Sequence, residues 1–172
     1  MRTETKDDIL FTEVQRIRQP WVWVVVILVH LSISIPLFFI SSQDNLWATG
    51  ISWLFFILLT LFLAILRLKV VVTTVGIHLQ FFPFHLSPVF FPWSAIQAVW
   101  AGSYAPLREF GGWGYRMNFS GNAIAWSVYG NKGVKILLTN GKKRLIGTQD
   151  AEGWNRALQL LGKTKEISAP PF

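Results

Sequence analysis

The chain of 172 residues has no cysteine. That absence removes disulfide frameworks, thiolate metal sites, CxxC redox chemistry and cysteine nucleophiles together. Acidic residues are scarce: 9 Asp and Glu stand against 16 Lys and Arg, for a formal net charge of +7. Beyond the apolar first third only Glu109, Asp150 and Glu152 precede the C-terminal tail, with His78 and His85 as the histidines there. Such a set offers little to general acid–base catalysis. No HExxH, GxSxG, Walker or dinucleotide-binding pattern occurs. Gly130-Asn131-Lys132-Gly133 shares only its glycines with a phosphate loop, lacking the Lys-Ser/Thr pair that opens a helix, and reads as a turn. His78 and His85 have no third ligand that spacing can supply, so no metal site is expected. The expectation is a protein that is not an enzyme and has no cofactor.

Charge is also missing from two long stretches. Trp21 to Ile40 and Trp47 to Leu66 each run for 20 residues without a formal charge. At about 1.5 Å per residue, each matches a bilayer core of roughly 30 Å. Only Ser41 to Leu46 lies between them, which predicts a tight transmembrane hairpin with its outer ends on one side. Pro20 suits a first helical turn, and Pro36 is expected to kink the first span. Arg2, Lys6, Arg16 and Arg18 precede the pair, Arg67 and Lys69 follow it, and the loop has no positive charge. The positive-inside rule then puts both termini in the cytoplasm, in a cell inner membrane, with Trp21 and Trp23 at one interface and Trp47 at the other. Glu4, Asp7, Asp8 and Glu13 before the apolar run, and no A-x-A after it, argue against a cleaved signal peptide.

What is abundant is hydrophobicity, 52% of residues with 9 Trp and 14 Phe, and this excludes a disordered chain. The basicity sits past the spans, where residues 67–172 have twelve positive charges and four negative ones. From Lys69 the pattern alternates as strands do. Val70 to Val75 and Ile77 to Phe82, broken at Gly76, suggest a hairpin; further strands are expected at 89–91, 96–101, 123–128, 134–138 and 144–146. Asn140-Gly141 between the last two predicts a two-residue turn. Asp150 caps a closing helix whose Trp154, Ala157, Leu158 and Leu161 form one apolar stripe ended by Gly162. Residues 9–17 fit either an interfacial helix or a strand of the domain.

The runs FTEVQRIRQPWVW, FPWSAI, YAPLREFGGWGYR, YGNKGVKILLTNGKKRLIGTQ and the closing helix resemble small, largely uncharacterised prokaryotic membrane proteins with two spans and a bacterial PH-like domain. The resemblance covers about Phe11 to Gly162. It implies an α+β membrane protein: an N-terminal cytoplasmic segment (1–20), a transmembrane hairpin (21–66), and a cytoplasmic PH-like β-barrel (67–162). The barrel would have about seven strands capped by a C-terminal helix, with a loose tail (163–172) after it. It carries over no activity and no catalytic residue. Eukaryotic PH domains hold phosphoinositides with basic residues between their first two strands; here Thr74-Val75-Gly76, taken as that connection, is short and uncharged.

Three groups are candidates for function. In the segment from Tyr104 to Arg116, Arg108, Glu109, Trp113 and Arg116 surround glycines that no strand needs, as in a recognition loop; the alternative is a loop that folds its own Trp into the domain. Lys142, Lys143 and Arg144 could meet anionic lipid, or be solvated charges that discourage edge pairing. His30 lies midway along the first span, with Ser52 and Thr60 at similar depth, and is either a functional intramembrane group or a neutral, satisfied imidazole. Ala48, Gly50 and Ser52 could serve close helix packing or self-association. No helix-turn-helix, zinc finger or RNP-like pattern supports nucleic acid. The resulting expectation is a membrane-anchored docking or assembly module. Its expected contacts are the bilayer, a protein partner or second copy, and anionic lipid. The alternative is a lipid-modifying or transport accessory protein whose spans take part directly.

Overall fold

The computed structural model describes residues 8–40, 46–118 and 120–162. Residues 41–45 of the expected inter-span connection (41–46), the first seven residues and the tail lie outside them, and Leu46 is already helical. The chain divides into two compact units, Arg16–Leu66 and a sheet-rich unit that joins the residues before it to those after it.

The first unit is a pair of helices, α1 (Pro20–Ile40) and α2 (Leu46–Ile65). Both are long and apolar enough to cross a membrane. Most of their apolar side chains are exposed, and apolar surface of that extent marks a membrane or protein contact. The contact between the helices centres on one polar side chain. The His30 imidazole meets the Trp53 ring at 4.3 Å and the Phe56 ring at 4.4 Å, both edge-on, and Ser34 Oγ lies 3.3 Å from its Nδ1. Gly50 takes no part in close approach, since a Cβ there would meet nothing within 4 Å.

The second unit holds nine strands among the described residues, in two sheets. β1 (Ile9–Arg16), β2 (Arg67–Thr73), β3 (Gly76–Phe82) and β4 (Val89–Pro92) form one sheet in that order. The other has the order β5-β8-β9-β7-β6, from β5 (Ile96–Ser103), β6 (Gly114–Met117), β7 (Ala123–Ser127), β8 (Lys132–Leu138) and β9 (Lys143–Gly147). The short helix α3 (Pro106–Phe110) and the closing helix α4 (Ala151–Leu160) complete the unit.

The expected closed barrel of about seven strands is therefore corrected to two open sheets. β9 inserts between β8 and β7, antiparallel to the first and parallel to the second, so the last strand lies inside its sheet rather than closing a ring. The hairpin β2–β3 pairs as expected, with Val70 opposite Leu79. Its connection joins the second and third strands; what links the first two is the helix pair. The β8–β9 loop also differs from expectation. Leu138 N–H donates to Lys142 O across three loop residues, and Gly141 adopts φ 77°, the left-handed residue that completes such a loop after a tight turn.

Residues 9–16 resolve to a strand, not an interfacial helix. Thr74 N–H donates to Asp8 O where β1 begins and β2 ends, so the two strands run in opposite directions. The apolar insert α1–α2 thus occupies the place of a turn between neighbouring strands. β1 also ties the two sheets together. Glu13 accepts hydrogen bonds from Thr148 Oγ1 (2.7 Å), Gln149 N (2.7 Å) and Trp154 Nε1 (3.3 Å). Buried Gln15 donates to Gly147 O at 2.6 Å, and the Phe11 ring packs on Trp154 at 5.5 Å. Gly153 is required at this contact, because a Cβ would run into the Asp150 carboxylate and the Phe11 ring. Asp150 caps α4 as expected, accepting from Gly153 N at 2.8 Å. Inward residues of both sheets, Leu68, Val70, Val72, Ile77, Leu79 and Phe81 on one side and Val134, Ile136 and Ile146 on the other, are buried, as are Trp154 and Leu158. At about 1.5–3 kcal/mol for each large side chain, this core is the main source of stability.

Candidate functional site

The loop from Tyr104 to Arg116 is ordered by its own bonds. Pro106 opens α3, and Glu109 turns back to accept from Ala105 N at 2.8 Å, satisfying a donor that the first turn leaves free. Gly111 ends the helix at φ 69°, and Gly112 and Gly114 follow at 128° and 112°, so the three glycines occupy backbone that other residues avoid. Trp113 Nε1 donates to Gly130 O at 2.7 Å, fixing the indole to the β7–β8 turn, yet 38% of the residue stays exposed. Arg116 Nε reaches Trp113 O at 3.1 Å from the exposed edge strand β6, which the sequence did not announce. Arg108 is exposed on α3. Of the four residues expected here, Trp113 and Arg116 are bonded to each other, while Glu109 separately sets the start of α3.

Beneath this loop Tyr104, Phe110, Ala123, Ala125 and Leu145 make a small core. Burial pushes the Tyr104 phenol above its ordinary value, with Ser127 opposing and the Glu109 charge adding to the rise.

The basic triplet is not gathered into one patch. Lys142 is exposed at the turn, but Lys143 and Arg144 are half-buried in β9, an interior strand, where successive side chains point to opposite faces. Arg144 donates to Lys143 O at 2.7 Å. Burial works against its charge, and neighbouring Tyr115 acts in the opposite sense.

His30 lines an apolar groove of about 270 Å³ with Val26, Trp53, Phe56 and Thr60. Its hydrogen-bond neighbour is Ser34, one turn along its own helix, and the Ser52 hydroxyl is buried without a partner.

Two constellations escaped the sequence reading. One is an aromatic cluster between the sheets: Tyr115 stacks on Trp126 at 6.0 Å and 18°, and His85 meets them at 5.5 and 6.0 Å. His85 Nδ1 and Trp126 Nε1 are buried without partners, and burial holds the His85 imidazole below its ordinary value. The other is a groove of about 290 Å³ on the four-stranded sheet, lined by Ile9, Lys69, Val71, Thr73, His78, Gln80 and Pro88. The alternation that marked β2 and β3 as strands also put Lys69, Val71, His78 and Gln80 on one outer face, and that was the signal available. Among the described residues, no group of three or more His, Asp or Glu could hold a metal ion. Comparison of the chain with protein-family models, curated proteins and solved structures finds no match.

Proposed function

We propose that the chain is a non-enzymatic membrane-anchored docking module whose helix pair spans a bilayer and whose sheet-rich unit is a cytoplasmic, PH-like domain. The observation that carries this reading is the insertion of α1 and α2 between paired strands. Ile65 ends α2 and Arg67 begins β2, so only Leu66 separates a helix from the domain, and only residues 17–19 separate β1 from α1. Connections of one and three residues thus tie the helix pair to two neighbouring strands of one sheet, as expected of an anchor that belongs to its domain.

The surface we assign to a protein partner is the α3 to β6 segment. Trp113 is rigid, amphipathic and partly exposed, the character of an interface anchor, and Leu107 at 69% exposure and Tyr129 at 37% are apolar neighbours of the same loops. Arg108 and Arg116 supply charge at the rim. Anionic headgroups are a second contact, supported by the basic character of the chain beyond the spans. Kinship with PH-like domains is supported by the strand-rich unit closed by one amphipathic C-terminal helix and by the sequence motifs.

Crosslinking in native membranes followed by purification tests the reading. A stoichiometric protein partner, lost in Trp113→Ala while the variant stays folded and membrane-embedded, is the expected result. Copurifying lipid with no protein partner would favour the alternative in which the helices themselves act on lipid or transport.

A further inference from the structure

The outer face of the four-stranded sheet has a composition that folding does not require. Cross-strand pairs set Arg67 opposite Phe82, Lys69 opposite Gln80, Val71 opposite His78, and His78 opposite Phe90. Arg67 lies over the Phe82 ring at 5.3 Å, and the His78 imidazole stacks on Phe90 at 4.4 Å and 25°. These two contacts occupy ring faces and leave the groove between them lined by Lys69, His78 and Gln80.

The polar groups of the groove are differentiated. Gln80 Nε2 donates to Leu86 O at 2.8 Å, so its amide oxygen is left as the acceptor. Thr73 Oγ1 is engaged with Gly76, donating to its carbonyl at 3.0 Å and accepting from its N–H at 3.2 Å. Lys69 contributes three donors and a full charge, and the His78 ring a further donor. No carboxylate lines the groove. Among the described acids Glu13, Glu109 and Asp150 are engaged in bonds elsewhere, Glu152 is on α4, and Asp8, beside Ile9, is the one near the groove in the chain.

We infer that this groove binds a phosphate group that carries neighbouring hydroxyls, with Lys69 and His78 donating to the phosphate and the Gln80 amide oxygen accepting from a hydroxyl. Its volume of about 290 Å³ fits a headgroup of the size of glycerol phosphate, and Ile9, Val71 and Pro88 give the remainder an apolar wall. A phosphate diester of a lipid and a free polyol phosphate share this chemistry. The inference rests on the anionic-contact part of the proposed function and moves that contact from the dispersed Lys142–Arg144 triplet to a formed groove.

The test uses the full chain in non-ionic detergent micelles with ring-labelled histidine. Dihexanoyl phosphatidylglycerol, dihexanoyl phosphatidylcholine and glycerol phosphate are titrated against the His78 resonances. Saturable shifts with phosphatidylglycerol or glycerol phosphate, weakened about tenfold or more in Lys69→Gln, restored in Lys69→Arg and unchanged in Lys142→Gln, are expected. Glycerol phosphate as effective as the lipid identifies a soluble ligand; a response to the lipid alone identifies the bilayer. Equal loss in Lys142→Gln, indifference to Lys69→Gln in a folded variant, or equal binding of phosphatidylcholine would overturn the inference. Reconstitution into vesicles separates the two readings. A chain that fails to insert but still binds glycerol phosphate contradicts the membrane anchor alone, and one that inserts but shows no His78 response contradicts the groove alone.

Discussion

The helix pair and the sheet-rich unit treat their hydrophobic residues in opposite ways. In the sheets, Leu68, Val70, Ile77, Leu79 and Ile136 are fully buried, and the buried Gln15, Thr73 and Thr148 side chains bond to backbone or to Glu13. In the helices, Val24, Leu28, Phe55 and Leu58 are exposed, while His30 meets Trp53 and Phe56 of the neighbouring helix and bonds to the buried Ser34. In the bilayer we propose for them, an apolar exterior gives no advantage to burying Leu over exposing it, so polar and aromatic contacts would decide how such helices meet. In the sheet unit water makes the core decisive. Hydrophobic residues therefore act through different forces in the two regions, and substitutions separate them.

The largest effect is expected at Trp154, fully buried under β1. Trp154→Ala removes the ring that packs on Phe11 and donates to Glu13, and a loss of about 3–5 kcal/mol in denaturant unfolding of the sheet unit is expected. Retention of wild-type stability would show that β1 and α4 are not joined through this ring.

Glu13→Ala comes next. It leaves Thr148 Oγ1, Gln149 N and Trp154 Nε1 without their acceptor, and a loss of about 1–3 kcal/mol is expected in the same measurement. A cost below about 0.5 kcal/mol would mean that solvent replaces the carboxylate and that the clamp is apolar only.

His30→Leu is the matching test in the helix pair. His30 meets the other helix through the Trp53 and Phe56 rings and bonds to Ser34 on its own helix, and even interhelical polar contacts in bilayers are worth about 0.6 kcal/mol on average, so a change of about 1 kcal/mol or less in association of the two helices is expected, well under that at Trp154. A loss comparable with Trp154→Ala would end the distinction between the regions.

The smallest effect is a pH dependence at His85. Burial lowers its folded-state pKa, so the folded unit favours the neutral ring. Stability from this group is fully present above the ordinary value of about 6.5 and is lost as pH falls from there through the folded pKa. Thermal unfolding from pH 7.5 to pH 5 is expected to show a modest decline that His85→Phe reduces. A decline of the same size in that variant would assign the slope to other groups.

Local order was legible in the residues. The two apolar runs, the alternation of Ile77, Leu79 and Phe81, and the Asp150 cap each fixed an element to within a few positions. What escaped depended on distant partners. Leu10, Val14 and Ile17 have helical spacing, and β1 is a strand because β2 lies beside it after an insert of about 50 residues. β6 has no alternation to read: Tyr115, Arg116 and Met117 are all exposed on an edge strand held by β7. α3 is a single turn made by Pro106, Glu109 and Gly111, too short for a periodic signal. The parallel pairing of β7 with β9 lies outside local reach, and so does the meeting of His85, Tyr115 and Trp126 from three separate segments. In the candidate loop, the residue types pointed to Trp113 and its glycines, but the indole bond to Gly130 needed the fold.

The central claim is that the sheet unit is one domain interrupted by the helix pair, with β1 an integral strand. Thermal unfolding of two soluble chains tests it most directly: residues 67–162 alone, and residues 8–16 joined to 67–162 by a short glycine-rich turn in place of the helices. The account predicts a cooperative transition in the joined chain, and in the fragment either none or one lower by well over 10 °C. Equal midpoints would contradict it, showing that β1 only leans against a domain complete without it.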